Sequence, residues 1–321
     1  MKILVTGSEG SLMQAVIPLL LQKGYEVRGI DNFARYGKIE RERNYEFIRG
    51  DLTDTTFVEE ITKDVDAVIQ AAALIYGVGG FHKYPADILS KDIVLHQNIL
   101  WAMLKNNIEK IVYISSSMVY ERCLTHPNKE EDVDDSLIPS TDYGLSKLVG
   151  ERLAQAFSKQ YGLSYVIWRP FNIITPYEKG EADLGMSHVF ADYIKNIVLE
   201  KKNVLPIIGD GEQIRCFTWI EDVAHGIAEY SFDEKAENNI FNLGNPEPIS
   251  MKDLANIIYS SAQKHNLIEK SENGLRFETT LSFNDDVRTR IPDVSKAKEV
   301  LGWEPTLKVS ESVERCLQLM D

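Results

Sequence analysis

Cysteine is scarce: the 321-residue chain has three, at positions 123, 216 and 316. The number is odd, the spacings are wide and no Cys-x-x-Cys pair occurs, which argues against a disulfide framework and against a zinc or other metal site. Long apolar runs are missing too. The stretch from Val16 to Leu21 is far too short to span a bilayer. No charged region with a signal-type apolar segment stands ahead of the strand-like Lys2-Ile3-Leu4-Val5, so a cytoplasmic protein is expected. Positive charge is in deficit, with 35 Lys and Arg against 49 Asp and Glu and a net charge of −14. A field of that sign repels nucleic acid and anionic membranes, and neither is expected as a partner. It also fails to attract an anionic small molecule, so any phosphate site must be assembled locally. Low-complexity tracts and internal repeats are absent.

What is present suits an enzyme with a core. Apolar residues make up 44% and charged residues 26%, ordinary values for a globular protein. Short apolar runs alternate with amphipathic stretches through the first half. The strands expected are Lys2–Thr6, Glu26–Asp31, Tyr45–Arg49, Ala67–Ala71, Ile111–Ser115 and Tyr165–Arg169. The helices expected between them are Ser11–Lys23, Thr55–Thr62, Ala86–Asn106 and Asp142–Tyr161. This alternation predicts an α/β fold with a doubly wound parallel sheet of Rossmann type. Beyond Pro170 glycine, proline and asparagine become frequent and the pattern weakens. Residues 1–172 are therefore read as the dinucleotide-binding domain and 173–321 mostly as a smaller substrate lobe, with some later segments returning to the first.

Thr6-Gly7-Ser8-Glu9-Gly10-Ser11-Leu12-Met13 joins the first strand to the first helix. Gly7 and Gly10 let the backbone turn sharply and approach a pyrophosphate, and Ser11 and Leu12 open the helix whose N–H groups would receive it. Met13 stands where this fingerprint has its third glycine, which should crowd the helix against the sheet. Asp31 closes the second strand roughly 20 residues after the glycines. A carboxylate there accepts hydrogen bonds from ribose hydroxyls and repels a 2′-phosphate, favouring NAD over NADP; Arg28 and Arg35 are nearby cations that oppose this preference. Asp51 and Leu52 follow the third strand, where the adenine would lie. Ala71, Ala72 and Ala73 follow the fourth, where small side chains admit a flat cofactor.

Tyr143 and Lys147 are four apart on an expected helix and so share a face. A neighbouring ammonium favours a phenolate and brings it toward working pH, so Tyr143 can exchange a proton with a sugar hydroxyl as hydride moves. Lys147 could also bond the nicotinamide ribose. Ser115-Ser116-Ser117 ends the fifth strand, where such a fold presents its cleft, and Ser116 can anchor the reacting oxygen. The specific signal is the chain order: glycine loop, acidic strand end, serine strand end, Tyr-x-x-x-Lys helix.

With these pieces in place the chain resembles the extended short-chain dehydrogenases, the superfamily of sugar-nucleotide epimerases, dehydratases and reductases. Arg169-Pro170-Phe171-Asn172, Gly209-Asp210-Gly211 with Arg215 and Asp222, Arg290-Ile291-Pro292-Asp293 and Leu301-Gly302-Trp303-Glu304-Pro305 belong to the same resemblance. It implies that Asn172, Arg215 and Arg290 hold a nucleotide diphosphate, in accord with guanidinium–phosphate pairing, that Trp303 and Pro305 are structural, and that the protein is a homodimer. Within the superfamily, Gly77-Val78-Gly79-Gly80 with Tyr84-Pro85-Ala86-Asp87, and Ser187-His188-Val189, are similar to segments of GDP-L-fucose synthases and GDP-mannose 3,5-epimerases. That similarity implies a GDP-linked manno-configured sugar, with Gly79, Gly80, Met118 and His188 beside it. Those epimerases carry a catalytic cysteine where Met118 stands, and a thioether cannot trade protons. Dehydratases carry an Asp-Glu pair where this chain has Ser117-Met118. The expectation is therefore an NAD-dependent C4 dehydrogenase or 4-keto reductase of a GDP-sugar. The alternatives are a 4-epimerase using the same residues and, in a different class, a non-catalytic NAD or sugar-nucleotide binding protein.

Overall fold

The computed structural model describes residues 1–320 apart from 36, 38, 39, 270–273, 281, 282, 284 and 285. Its first half follows the order β1 (Lys2–Thr6), α1 (Ser11–Gln22), β2 (Glu26–Asp31), β3 (Glu46–Arg49), α2 (Thr55–Ile61), β4 (Ala67–Gln70), α3 (Val78–Lys83), α4 (Pro85–Lys105), β5 (Lys110–Ile114), α5 (Asp142–Tyr161) and β6 (Ser164–Pro170). The second half continues with β7 (Asn172–Ile174), α6 (Val189–Tyr193), β8 (Val204–Ile207), β9 (Ile214–Trp219), α7 (Ile220–Tyr230), β10 (Asn239–Leu243), β11 (Pro248–Ser250), α8 (Met251–Lys264), β12 (Arg276–Thr279), α9 (Ser295–Leu301) and α10 (Val309–Gln318).

Seven strands form one sheet in the order β10-β6-β5-β4-β1-β2-β3, each pair parallel. The chain reverses direction across the sheet between β1 and β4, and such a switch point opens a crevice beyond the strand ends. Helices cover both faces, so a central strand such as β4 is buried at every residue. α1 buries Met13, Val16, Ile17 and Leu20, one stripe of a helix. Those residues share a cluster with Val223, Ala224, Ile227 and Ala228 of α7. On the opposite face Val58, Ile99 and Ala154, from α2, α4 and α5, meet Leu4, Val68 and Ile111 of the sheet.

β6 ends at Pro170 and β7 begins at Asn172, so one nearly continuous path leads from the large sheet into the second lobe. That lobe holds a three-stranded sheet, β11-β9-β7, and a two-stranded one, β12-β8. β10 and α7 return to the large sheet. Trp303 is buried and its Nε1 donates to the Asp222 carbonyl at 3.0 Å, a structural bond. The three cysteines are buried free thiols. Among the described residues no helix is long and apolar enough to cross a membrane.

Candidate active site

A cleft of about 840 Å³ runs over the C-terminal ends of the large sheet and under the second lobe. Gly7, Gly10, Ser11, Leu12, Asp31, Asp51, Leu52, Ala71, Ala72 and Ala73 all line it, as do Ser116, Tyr143 and Lys147. Met118, Asn172, His188, Arg215 and Arg290 close it from the other side. Gly79 and Gly80 do not stand with them. Gly79 N–H donates to the Gly185 carbonyl at 2.9 Å. A Cβ on Gly80 would come within 2.3 Å of the Tyr76 side chain. Gly79 seats α3 against Leu184 and Gly185, Gly80 seats it against Tyr76, and their neighbours Gly77 and Val78 line the cleft.

The floor of the cleft fits a dinucleotide. Gly7 has φ +65°, and a Cβ there would meet the Ala72 backbone at 3.0 Å, so only glycine lets the loop cross β4's exit so closely. Gly10 N–H donates to the Gly7 carbonyl at 2.9 Å. No side chain caps α1, which leaves its first-turn N–H groups and positive dipole end for a pyrophosphate. The crowding expected from Met13 is absorbed: its side chain is buried among α1, the sheet and α7, where Ala224 and Ala228 leave room. Asp31 lies at the far end, its carboxylate accepting from the N–H groups of Glu9 at 3.0 Å and Phe33 at 2.7 Å. Gly7, Gly10, Asp31, Asp51 and the alanines would hold NAD along this floor.

Tyr143 is buried on α5. Its ring stacks on Phe81, centroids 4.5 Å apart and 6° from parallel. Burial raises its phenol well above the ordinary value, and the influence of Ser116 in the opposite direction is the smaller one. Ser116 has a second duty, since its Oγ caps the turn at Ser117–Tyr120 by accepting from Met118 N–H at 3.1 Å. Lys147 lies one turn beyond Tyr143. Its ammonium donates to the Ile114 carbonyl at 2.9 Å and sits 5.8 Å from the tyrosine ring centre. Burial lowers Lys147 to about 8, against the support of Asp92 and Glu151. The two residues share a helix face with the ammonium 5.8 Å from the ring centre.

Several residues that hold this arrangement were not singled out from the sequence. Asp92, fully buried in α4, accepts from Leu74 N–H at 2.8 Å and from Ser146 Oγ at 3.1 Å. Its signal was a carboxylate on the same stripe as Ile88, Leu95 and Ile99. Glu121 accepts from the N–H and the hydroxyl of Thr141, the residue that caps α5, at 2.8 and 2.7 Å. Glu151 and Arg169 form a buried bidentate pair that also binds Ser115. A pair satisfied on every side can stay ionised inside a protein.

At the other end Arg290 is 5% exposed and its Nε has no partner among the described residues. One of its outer nitrogens donates to Asn172 Oδ1 at 3.3 Å, and another meets the Met118 sulfur. Burial and the Arg215 charge lower Arg290 to about 9. Two guanidiniums set together in a buried cleft call for an anion between them. His188 faces the same space with about 40% of its side chain exposed, and its Nδ1 is 2.9 Å from Glu178. Burial opposes the pair, yet their mutual attraction raises His188 and lowers Glu178.

The sequence profile of the NAD dependent epimerase/dehydratase family matches residues 3–244. A protein of Methanocaldococcus jannaschii, named provisionally as a UDP-glucose 4-epimerase, is 31% identical over 327 aligned positions, with 99% of this chain and 98% of its own length covered. Among solved structures, the UDP-glucose 4-epimerase of Thermotoga maritima with UDP-glucose superposes with a TM-score of 0.84 at 25% identity, over 100% of this chain and 98% of that one. The UDP-N-acetylglucosamine 4-epimerase of Methanobrevibacter ruminantium, in complex with UDP-N-acetylmuramic acid, gives 0.84 at 25% identity, over 99% and 98%.

Proposed function

Because this chain belongs to the NAD dependent epimerase/dehydratase family, we propose that it is an NAD-dependent 4-epimerase of a nucleotide-diphosphate sugar, with Ser116, Tyr143 and Lys147 at the reacting centre. The reading rests on one observation above the rest: Ser116, Tyr143 and Lys147 line the same cleft, Tyr143 and Lys147 one helical turn apart on α5. That set handles one proton at one oxygen. Met118 and Ser117 bring no carboxylate or thiol beside it, so the chemistry it supports is redox at C4. The relatives named above are UDP-sugar 4-epimerases, and this favours the epimerase over a net dehydrogenase, and a UDP-sugar over the GDP-sugar expected from the sequence.

When bound, NAD supplies a hydride acceptor and a positive ring that offsets the burial penalty on a phenolate. Tyr143 Oη takes the O4 proton while Ser116 holds the oxygen, and C4 loses its hydrogen as hydride to give a 4-ketone. Lys147 adds positive charge one helical turn away. The C4 hydrogen accepted by bound NAD would return to the opposite ketone face, and with Tyr143 handing its proton back to O4 the C4 epimer would form with no net redox change. Arg215, Arg290 and Asn172 would hold the diphosphate while the sugar turns.

The test is incubation of the protein, with NAD, on UDP-glucose, UDP-N-acetylglucosamine and GDP-mannose, followed by proton NMR and absorbance at the NADH band. The expected result is a C4 epimer from a UDP-sugar without accumulation of NADH. Stoichiometric NADH, or conversion of the GDP-sugar alone, overturns the reading. The homodimer contact belongs on the outer faces of α4 and α5, where Trp101 is 54% exposed and packs edge-on against Phe157 and Tyr161.

A further inference from the structure

The segment after Asp31 carries arginines at positions 35, 41 and 43, the very groups that would accept a 2′-phosphate on the adenosine ribose. Each is met by carboxylates from elsewhere. Arg35 pairs with Glu178 and Glu181 across the cleft. Arg41 donates to Glu9 Oε1 at 3.2 Å. Arg43 grips the same carboxylate with two nitrogens, Nε at 3.1 Å and Nη2 at 2.9 Å. The Tyr45 hydroxyl adds a third donor at 2.7 Å. Arg28 turns away to Glu46 and to the Ile61 and Lys63 carbonyls, and Arg49, opposite Asp31 at the end of β3, lies over the Phe33 ring.

Glu9 is a residue of the glycine loop itself, 2% exposed. Its N–H donates to Asp31 Oδ2 at 3.0 Å, so it adjoins the carboxylate that would meet the ribose hydroxyls. The glutamate and Asp31 therefore act on one place. Asp31 supplies the repulsion; Glu9 occupies the cations that could cancel it. Burial opposes the Glu9 carboxylate, but the bonds from Arg43 and Tyr45 and the charge of Arg41 outweigh that, so it stays ionised and its hold on the arginines is constant through the physiological range.

We infer that Glu9 is a cofactor-selectivity residue: by taking up Arg41 and Arg43 it denies a guanidinium to a 2′-phosphate, so the chain takes NAD and rejects NADP although it carries the arginines an NADP site would use. The inference rests on where the glycine loop and Asp31 place the adenosine ribose and is independent of the sugar chemistry.

The test measures dissociation constants of NAD and NADP by calorimetry, without substrate, for the unaltered protein, Glu9→Gln, Asp31→Asn and the double variant. Glu9→Gln is expected to improve the NADP-to-NAD ratio roughly tenfold, about one charge-assisted contact, and the double variant to improve it beyond Asp31→Asn alone. A Glu9→Gln protein that melts cooperatively and binds NAD but leaves the ratio unchanged overturns the inference. Should Glu9→Gln fail to fold, Arg41→Gln/Arg43→Gln in the Asp31→Asn background tests the same trio from the other side. With both guanidiniums withheld by Glu9, their loss is expected to leave the NADP-to-NAD ratio within about twofold, and a fall of about tenfold or more, the mark of a direct guanidinium–phosphate contact, overturns it.

Discussion

Lys147 is a buried cation whose pKa is lowered to about 8, because burial penalises the ammonium more than Asp92 and Glu151 support it. Two consequences follow at the level of this side chain. Catalysis needs the positive charge, so turnover should fall as pH rises through about 8, a limb to be read from a kcat profile. Stability moves the other way. The unfolded lysine keeps its proton up to about 10.5, so between about 8 and 10.5 the unfolded chain binds more protons and stability rises with pH. Lys147→Met should therefore abolish turnover yet stabilise the fold at pH 7 by about 1–3 kcal/mol, after allowance for the Ile114 carbonyl left unpaired; urea unfolding measures it. Tyr143→Phe removes the proton carrier while keeping the ring on Phe81. It should lower kcat at least about a thousandfold with NAD affinity unchanged by calorimetry.

α4 shows how an element can carry catalytic order without touching the reaction. Its buried stripe is apolar at Ile88, Leu95 and Ile99 but contains Asp92. Through Leu74 N–H and Ser146 Oγ that carboxylate ties the loop after β4 to α5. Asp92→Ala leaves Leu74 N–H without its acceptor while the Ser146 hydroxyl keeps the Tyr143 carbonyl at 2.9 Å, and a loss of about 1–3 kcal/mol is expected in urea unfolding. Removal of the nearest negative charge also lowers the lysine further, so the falling limb of the kcat profile should move to lower pH. A limb that stays in place would mean that Asp92 only holds the helices together. α5 depends on its own terminus as well: Thr141 caps it, Glu121 fixes Thr141, and Gly162 in the left-handed region ends it.

At the scale of the whole molecule, the net charge of −14 sets the problem that the cleft solves. The protein's field disfavours an anionic ligand, so a half-buried Arg215 and a buried Arg290 stand at one end and the α1 N-terminus is left uncapped at the other. The exposed Trp101, with Val94 and Tyr161 also open on α4 and α5, belongs to the proposed dimer face. Light scattering should give twice the 321-residue mass, and Trp101→Glu should give a monomer; a monomeric unaltered protein sinks this contact.

The sequence alone determined the large sheet up to Pro170 and singled out the residues here proposed to react. Strand and helix periods differ, glycines and an acidic strand end have fixed places in the first βα unit, and Tyr143 and Lys147 need only helical spacing to share a face. The expected ends of these elements lie within a residue or so of those found, as with Ile111–Ser115 against Lys110–Ile114. Tertiary structure decided the rest. That β10 rejoins the sheet beside β6 is a contact across about 70 residues, with no local signal. Gly150 reads as a weak spot in a helix until Tyr113 is seen 2.1 Å from where its Cβ would stand. Arg28 and Arg35 read as cations beside the ribose until Glu46 is found on the first and Glu178 and Glu181 on the second. In each case the meaning of a charge or a missing side chain depends on its neighbour in space, and linear spacing does not encode that neighbour.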